Sequence, residues 1–201
     1  FIVNLKSGKN QIKPHFLQNA LMSIKVLCRT RPKEAEQAVY DFAVFLRGNM
    51  NALESAEMIP FREECKTIER YLHIEKIRFG ERLQVQWDLQ EEKFRIPPLT
   101  IQPLVENAVC HGICQKMEGG TVQIRSFRKN GEICVQILDD GAGFDTEKLK
   151  DADGIAIRNL KLRLKEFLNA DLEIESRKGE GCRQTIHIPW EETDDENYSD
   201  R

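Results

Sequence analysis

Apolar positions recur about every 3.6 residues in the first part of the chain and every second residue in the rest. From 11 to about 29, Ile12, Phe16, Leu17, Ala20, Leu21, Ile24, Leu27 and Cys28 fall on one stripe of a helix. Arg31-Pro32 interrupts the pattern, and proline suits the first turn of a new helix. A second amphipathic helix follows over 33–49, with Ala35, Ala38, Val39, Phe42, Phe45 and Leu46 on its apolar side. Joined by so short a connection, the two pack antiparallel. One hairpin has a thin core, and a second copy completing a four-helix bundle buries both stripes, which predicts a homodimer. After Pro60, FREECKTIERYLHIEKIRFG predicts a third helix ending near Gly80.

Beyond Gly80 the period drops to two. LQVQWDL (83–89) alternates and predicts a strand, and Pro97-Pro98 closes an extended piece. LTIQPLVENAVCHGI predicts a helix with Pro103 near its start. TVQIRSF and EICVQIL are strands joined through Lys129-Asn130-Gly131, a hairpin signal. IRNLKLRLKEFLNA predicts a helix, and DLEIESRK and RQTIHIP predict two more strands around KGEG. The fold class is α+β: a helical hairpin over 1–60, a connecting helix over 61–80, a two-layer α/β sandwich over 81–190 with helices on one face of the sheet, and a disordered acidic tail over 191–201.

Composition narrows the classes. Of the 201 residues, 40% are hydrophobic and 31% charged, the profile of a soluble globular chain, and a net charge of −3 argues against a basic nucleic-acid surface. No apolar run reaches the roughly 20 residues that span a bilayer. The six cysteines at 28, 65, 110, 114, 134 and 182 form no C-x-x-C pair, as expected of free thiols in a reducing compartment. FIVNLKSGKN begins abruptly, so the chain reads as a fragment of something longer.

Several polar residues stand where local structure alone gives no reason for them. An apolar strand delivers Asp139 to Asp139-Asp140-Gly141-Ala142-Gly143, where a carboxylate could accept from the exocyclic amine of adenine; a plain Asp-Gly turn is the alternative. Asn107 is a poor helix former in mid-helix, and its amide oxygen suits magnesium; with His111 it shares a face, although a merely polar surface reads the same way. Cys110, His111 and Cys114 lack a fourth ligand, which argues against zinc among them. Gly154 opens a helix whose free N–H groups could receive phosphate, and DTEKLKDAD (145–153) reads as a lid or an ordinary loop. Gly179-Glu180-Gly181 is a glycine pair or simply a hairpin turn.

His15 lies roughly opposite the apolar stripe, facing water. A neutral imidazole so placed is a nucleophile open to a phosphoryl donor. His73 and His187 read as structural.

QIKPHFLQN (11–19), YLHIEKIRFGERL, IPPLTIQPLVENAVCHGI, LDDGAGF, GIAIRNLKLRL and GEGCRQTI, in this order, resemble the LytS-type sensor histidine kinases of two-component signalling over about 11–190. The resemblance implies a dimerising helical hairpin followed by a GHKL-type ATP-binding sandwich. His15 is then the phospho-acceptor, with Glu106 as its catalytic companion. Asn107 holds Mg2+, and Glu106 and His111 stand beside the phosphates of ATP. Asp139 reads adenine, and Gly141 and Gly143 form its turn. Gly154 and Asn159 belong to the second glycine box, Gly179 and Gly181 to the third. It further implies phosphotransfer to an Asp of a response-regulator receiver domain with a LytTR-type DNA-binding output. A full-length protein anchored in the cell membrane, its catalytic end in the cytoplasm, is also implied.

Three residues depart from the family pattern. Ala156 replaces a glycine in the second box, Asp140 replaces a commoner Asn, and Phe16 follows the acceptor histidine where many histidine kinases carry an acid. Ala156 and Phe16 motivate an alternative, a nucleotide-binding signalling module without kinase activity. A general GHKL-type ATPase that uses water as acceptor is a third reading.

Overall fold

The computed structural model describes residues 14–54, 57–145 and 155–190. Ile12, Gly154, most of the expected lid and the acidic tail lie outside the described residues, as does the side chain of Ala156. The chain divides into two compact units. One takes the described residues up to 54 with Glu69–Gly80; the other takes the described residues of 57–68 and those from Glu81 onward.

In the first unit, helix α1 (Pro14–Thr30) and helix α2 (Pro32–Glu54) form the hairpin, with Arg31 as the single residue between them. The last part of helix α3 (Phe61–Phe79) belongs to the same unit. Phe16, Ala20, Ile24 and Leu27 are the buried face of α1, a seam at intervals of four and three. That seam is narrower than the expected stripe. Leu21 and Cys28 are exposed, and so is Val39 on α2, because each helix here has too few neighbours to cover a broad band. Phe16 packs against Phe45 and Tyr71 at ring-centroid distances of 5.3 and 5.2 Å. Two polar side chains are also buried in α2: Asn49 donates to the Phe45 carbonyl, and Asp41 accepts from Gln37 and meets His73 Nδ1 at 2.7 Å. The role of His73 is therefore to match a buried carboxylate.

The second unit is built on a five-stranded sheet of order β2-β4-β5-β7-β6. Its strands are β2 (Leu83–Leu89), β4 (Gly120–Lys129), β5 (Glu132–Asp139), β6 (Asp171–Arg177) and β7 (Gly181–Pro189). Only the β2–β4 pair is parallel. β4 and β5 turn through Asn130 and Gly131, both at positive φ, which is the two-residue hairpin that an Asn-Gly pair favours. A two-stranded piece missed by the alternation pattern pairs β1 (Ile59–Pro60) with β3 (Arg95–Ile96); two residues are too few to alternate.

Register decides what each face carries. On one face Val122, Ile124 and Ser126 of β4 lie beside Asp139, Ile137 and Val135 of β5, and beyond them Cys182, Gln184 and Ile186 of β7. This face is buried, and toward one end its apolar rows give way to Asp139, Cys182 and Gln184. The unit's other helices are α4 (Gln102–Asn107) and α5 (Ile155–Leu168). The helix expected over LTIQPLVENAVCHGI is regular only as far as Asn107. A π-helical turn (Ala108–Gly112) and a 3-10 turn (Ile113–Gln115) follow. Asn169, at φ 49°, ends α5 in the left-handed conformation that terminates helices.

Candidate functional site

A cavity of about 450 Å³ opens at the polar end of the buried sheet face. Asn107, His111 and Gly112 border it from the α4 segment, Asp139 and Gly143 from the end of β5, and Cys182 and Gln184 from β7. Ile157 of α5, Ile174 of β6 and Phe144 supply apolar wall.

Asp139 is 7% exposed, and its Oδ1 accepts the Gly141 N–H at 3.0 Å. Burial pushes its carboxyl up to about 6, with the neighbouring Asp140 adding to the rise and the Gly141 and Cys182 amides opposing it. The chain packs so closely here that side chains are excluded. A Cβ on Gly141 would overlap the backbone of Gly112, and one on Gly112 would overlap the Asp139 carboxylate. Ala142 N–H donates to the Gly112 carbonyl at 3.1 Å, tying the loop to the π turn. Such turns are frequent at functional sites, and the widened turn ends with Gly112 against Asp139. Ser176 steadies the other side of the loop: it accepts from Phe144 N–H at 3.0 Å and donates to the Gly181 carbonyl at 2.7 Å. Burial pushes the Cys182 thiol up to about 12, so it lines the cavity as a neutral group.

Of the residues singled out from sequence, Asn107, His111, Asp139 and Gly143 meet at the cavity, and Gly141 and Gly181 lie directly behind Asp139. Glu106 is not a lining residue; it accepts from Gln102 Nε2 at 2.9 Å. Asn159 is exposed on α5, and Gly179 sits at an open hairpin tip where a Cβ would meet nothing within 4 Å. Asp140 turns from the cavity, its carboxylate accepting Thr121 N–H at 2.7 Å. His15 belongs to the other unit, where it is exposed with the Asn19 amide nitrogen 3.1 Å from each ring nitrogen. Sequence reasoning missed Gly112, Cys182 and Gln184. The glycine that closes LVENAVCHG was the available signal for the first; the other two needed the strand register.

Residues 3–83 match the family model described as histidine kinase, and residues 98–192 match that of the histidine kinase-, DNA gyrase B- and HSP90-like ATPase. YwpD of Bacillus subtilis is 35% identical over 193 residues, covering 92% of this chain and 69% of that protein. The chain belongs to the histidine kinase family. Histidine kinase relatives include the sensor protein LytS of Bacillus cereus, 31% identical over 92% of this chain and 34% of its own length. The sensor histidine kinase BtsS of Escherichia coli is 33% identical over 90% and 32%. The chain thus spans about a third of the length of these sensor proteins. Among solved structures, the histidine kinase domain of a blue-light activated kinase from Erythrobacter litoralis superposes with a TM-score of 0.54 at 17% identity, covering 93% of this chain and 97% of that one. The mycobacterial sensor histidine kinase MprB gives 0.50 at 15%, covering 67% and 97%. At these identities the likeness is one of fold.

A second constellation supports the α4 segment. Helix α4 has no side-chain cap of its own; instead Glu64, from the first part of α3, accepts Ile101 N–H at 2.6 Å and Gln102 N–H at 3.0 Å. Arg163 of α5 donates to the carbonyl of Leu99, a residue at positive φ just upstream. Burial lifts Glu64 to about 7, against the lowering pull of those amides and of Arg163. Glu64→Ala should leave two buried donors unmatched and lower stability by about 2–4 kcal/mol, read by urea titration. The pH dependence has a definite sign. A carboxyl raised in the folded state stabilises most at low pH, and that contribution is lost as pH rises through about 7. The stability advantage of wild type over Glu64→Gln should therefore shrink between pH 5 and 8, by roughly 3 kcal/mol at most.

Proposed function

We propose that this chain is the catalytic region of a sensor histidine kinase that binds ATP with magnesium and phosphorylates its own His15. The observation that carries the reading is Asp139, a buried carboxylate flooring a cavity with apolar walls. An exocyclic amine entering along Ile157 and Ile174 can donate to it, which adenine offers and guanine at that position does not. Asn107 and His111 border the same cavity from the π-turn side, toward which the phosphates would extend. The residues fit a magnesium ion: Asn107 offers a neutral hard oxygen, with phosphate oxygens and water as the other partners. Magnesium would supply neutralisation of the triphosphate charge.

In the proposed step a ring nitrogen of His15 forms a bond to the γ-phosphorus as the bond to the β–γ bridging oxygen breaks, ADP leaves, and the ring proton passes to solvent. Catalysis of this kind is chiefly positioning and charge stabilisation. Exposure of His15 supports its access to the γ-phosphate, and the Asn19 amide, 3.1 Å from each ring nitrogen, would have to release the one that attacks. Phe16 is buried in the aromatic cluster of its unit, so no acid follows His15 in the chain. The phosphoryl group would then pass to an Asp of a response-regulator receiver domain with a LytTR-type output.

A homodimer is part of the proposal. Leu21, Met22 and Val26 of α1 and Val39, Tyr40 and Met50 of α2 are each more than half exposed, an apolar surface that a second hairpin would cover. Membrane attachment of the whole protein is proposed from the sensor relatives. Among the described residues no helix is long and apolar enough to cross a membrane.

The test is incubation with γ-labelled ATP and magnesium. The chain should acquire label that is lost in acid and survives base, as a phosphoramidate does. ATP binding by calorimetry with no label would instead favour a nucleotide-binding module without kinase activity.

A further inference from the structure

The sheet face opposite Asp139 carries a different set of donors. Cys134 of β5 stands directly across from His187 of β7, and Glu132, two residues earlier on β5, shares their face. His187 Nδ1 lies 3.0 Å from Glu132 Oε2 and 3.9 Å from Cys134 Sγ, and the three donor atoms fall within 4.8 Å of one another. Among the described residues this is the one such group of His, Cys and carboxylate side chains. On the other side of the ring, Glu173 Oε2 of β6 lies 3.5 Å from His187 Nε2.

We infer that Glu132, Cys134 and His187 form a binding site for a divalent transition metal of the zinc type. A tetrahedral zinc ion held at about 2.0–2.3 Å by oxygen, nitrogen and sulfur sets its donors roughly 3.3–3.6 Å apart. The present separations of 3.0 and 3.9 Å need only a few tenths of an ångström of adjustment. Calcium and magnesium take oxygen donors and would leave the thiol and imidazole unused. Backbone pairing of β5 with β7 already holds Cys134 and His187 in place, so little side-chain freedom is lost on binding. Glu173 supplies the carboxylate that metal-bound histidines commonly engage through their other nitrogen: Nε2–H turns to Glu173, which leaves Nδ1 for the ion. Cys134 is buried at the floor, whereas the His187 and Glu132 side chains are 32% and 41% exposed and leave a way in. The Cys134 thiol releases its proton to solvent on binding, and water fills the fourth position.

The site also has a mechanical consequence. β5 and β7 carry both this cluster and, on their other face, Asp139, Cys182 and Gln184. A metal joining the two strands would stiffen the floor of the cavity and raise the melting temperature by mass action.

The test uses the full chain, stripped with chelator under a non-thiol reductant and titrated with Co2+. One equivalent per chain should generate a near-ultraviolet thiolate-to-cobalt charge-transfer band, and one equivalent of Zn2+ should bleach it. Cys134→Ser should remove the band, Glu132→Gln and His187→Gln should each weaken Co2+ binding at least about ten-fold, and Glu173→Gln about ten-fold. A Cys110→Ser, Cys114→Ser double variant should keep the band. No band in wild type, or a band that survives Cys134→Ser, overturns the site. Because Cys134 is buried and its variant can misfold, the partly exposed positions decide independently. Unchanged Co2+ affinity in His187→Gln and Glu132→Gln with wild-type circular dichroism overturns it equally.

Discussion

His15→Gln should carry no label after incubation with γ-labelled ATP, against near-stoichiometric labelling of an active wild type, while its affinity for ATP stays within about two-fold. The imidazole is the proposed nucleophile, and glutamine has no nitrogen lone pair able to form a stable bond to phosphorus. Nothing else should change. His15 is exposed, is not one of the residues lining the cavity, and leaves the buried seam of α1 intact. A surface exchange of this type shifts stability by no more than about 0.5 kcal/mol. Label persisting in the variant would remove His15 from the mechanism, and loss of ATP binding along with label would show that the substitution acts through the fold.

Asp139→Asn should separate function from stability. The variant should bind ATP at least about 100-fold more weakly, because the carboxylate acceptor becomes an amide that can present a donor to the adenine amine. Its fold should meanwhile gain stability at pH 7.5. Asp139 is raised to about 6 in the folded state, mainly by burial, so its favourable contribution is present at low pH and is lost as pH rises through about 6. Asparagine has no charge to desolvate and can still accept the Gly141 N–H. The expected gain is about 2 kcal/mol at pH 7.5, after allowing for water reaching the carboxyl through the cavity, and it should vanish near pH 4. Urea titrations at the two pH values, paired with calorimetry of ATP, decide it. A variant that is less stable at pH 7.5 would mean that Asp139 is held by interactions asparagine cannot replace.

Local signals read well from the chain because they act over a few residues. Pro32 starts α2, Asn130-Gly131 makes the hairpin, and the alternation of EICVQIL yields β5 with Asp139 at its end. Asp139, Asn107, His111 and Gly143 could be named because each breaks a local expectation: an acid ending an apolar strand, an amide in mid-helix, a histidine one turn on, a glycine in a tight turn. Gly112, Cys182 and Gln184 break none. Nor does Glu64, one of two adjacent glutamates in the first turn of α3; its burial follows from the arrival of α4 thirty-seven residues later. The expected regular helix through His111 failed for a similar reason, since the π turn answers to contact with Asp139 and no local propensity announces it.

Period, proline placement and turn chemistry in the chain are therefore enough for the order of the main elements and the α+β class, while the motifs from QIKPHFLQN to GEGCRQTI carry the resemblance to sensor histidine kinases. Which polar side chains come together was a matter for packing. The antiparallel register of β5 with β7 puts Asp139 beside Cys182 on one face and Cys134 beside His187 on the other. Sliding that register by one residue would exchange the two faces, and the preference against doing so is spread over every buried row of the sheet, where no short stretch of sequence can display it.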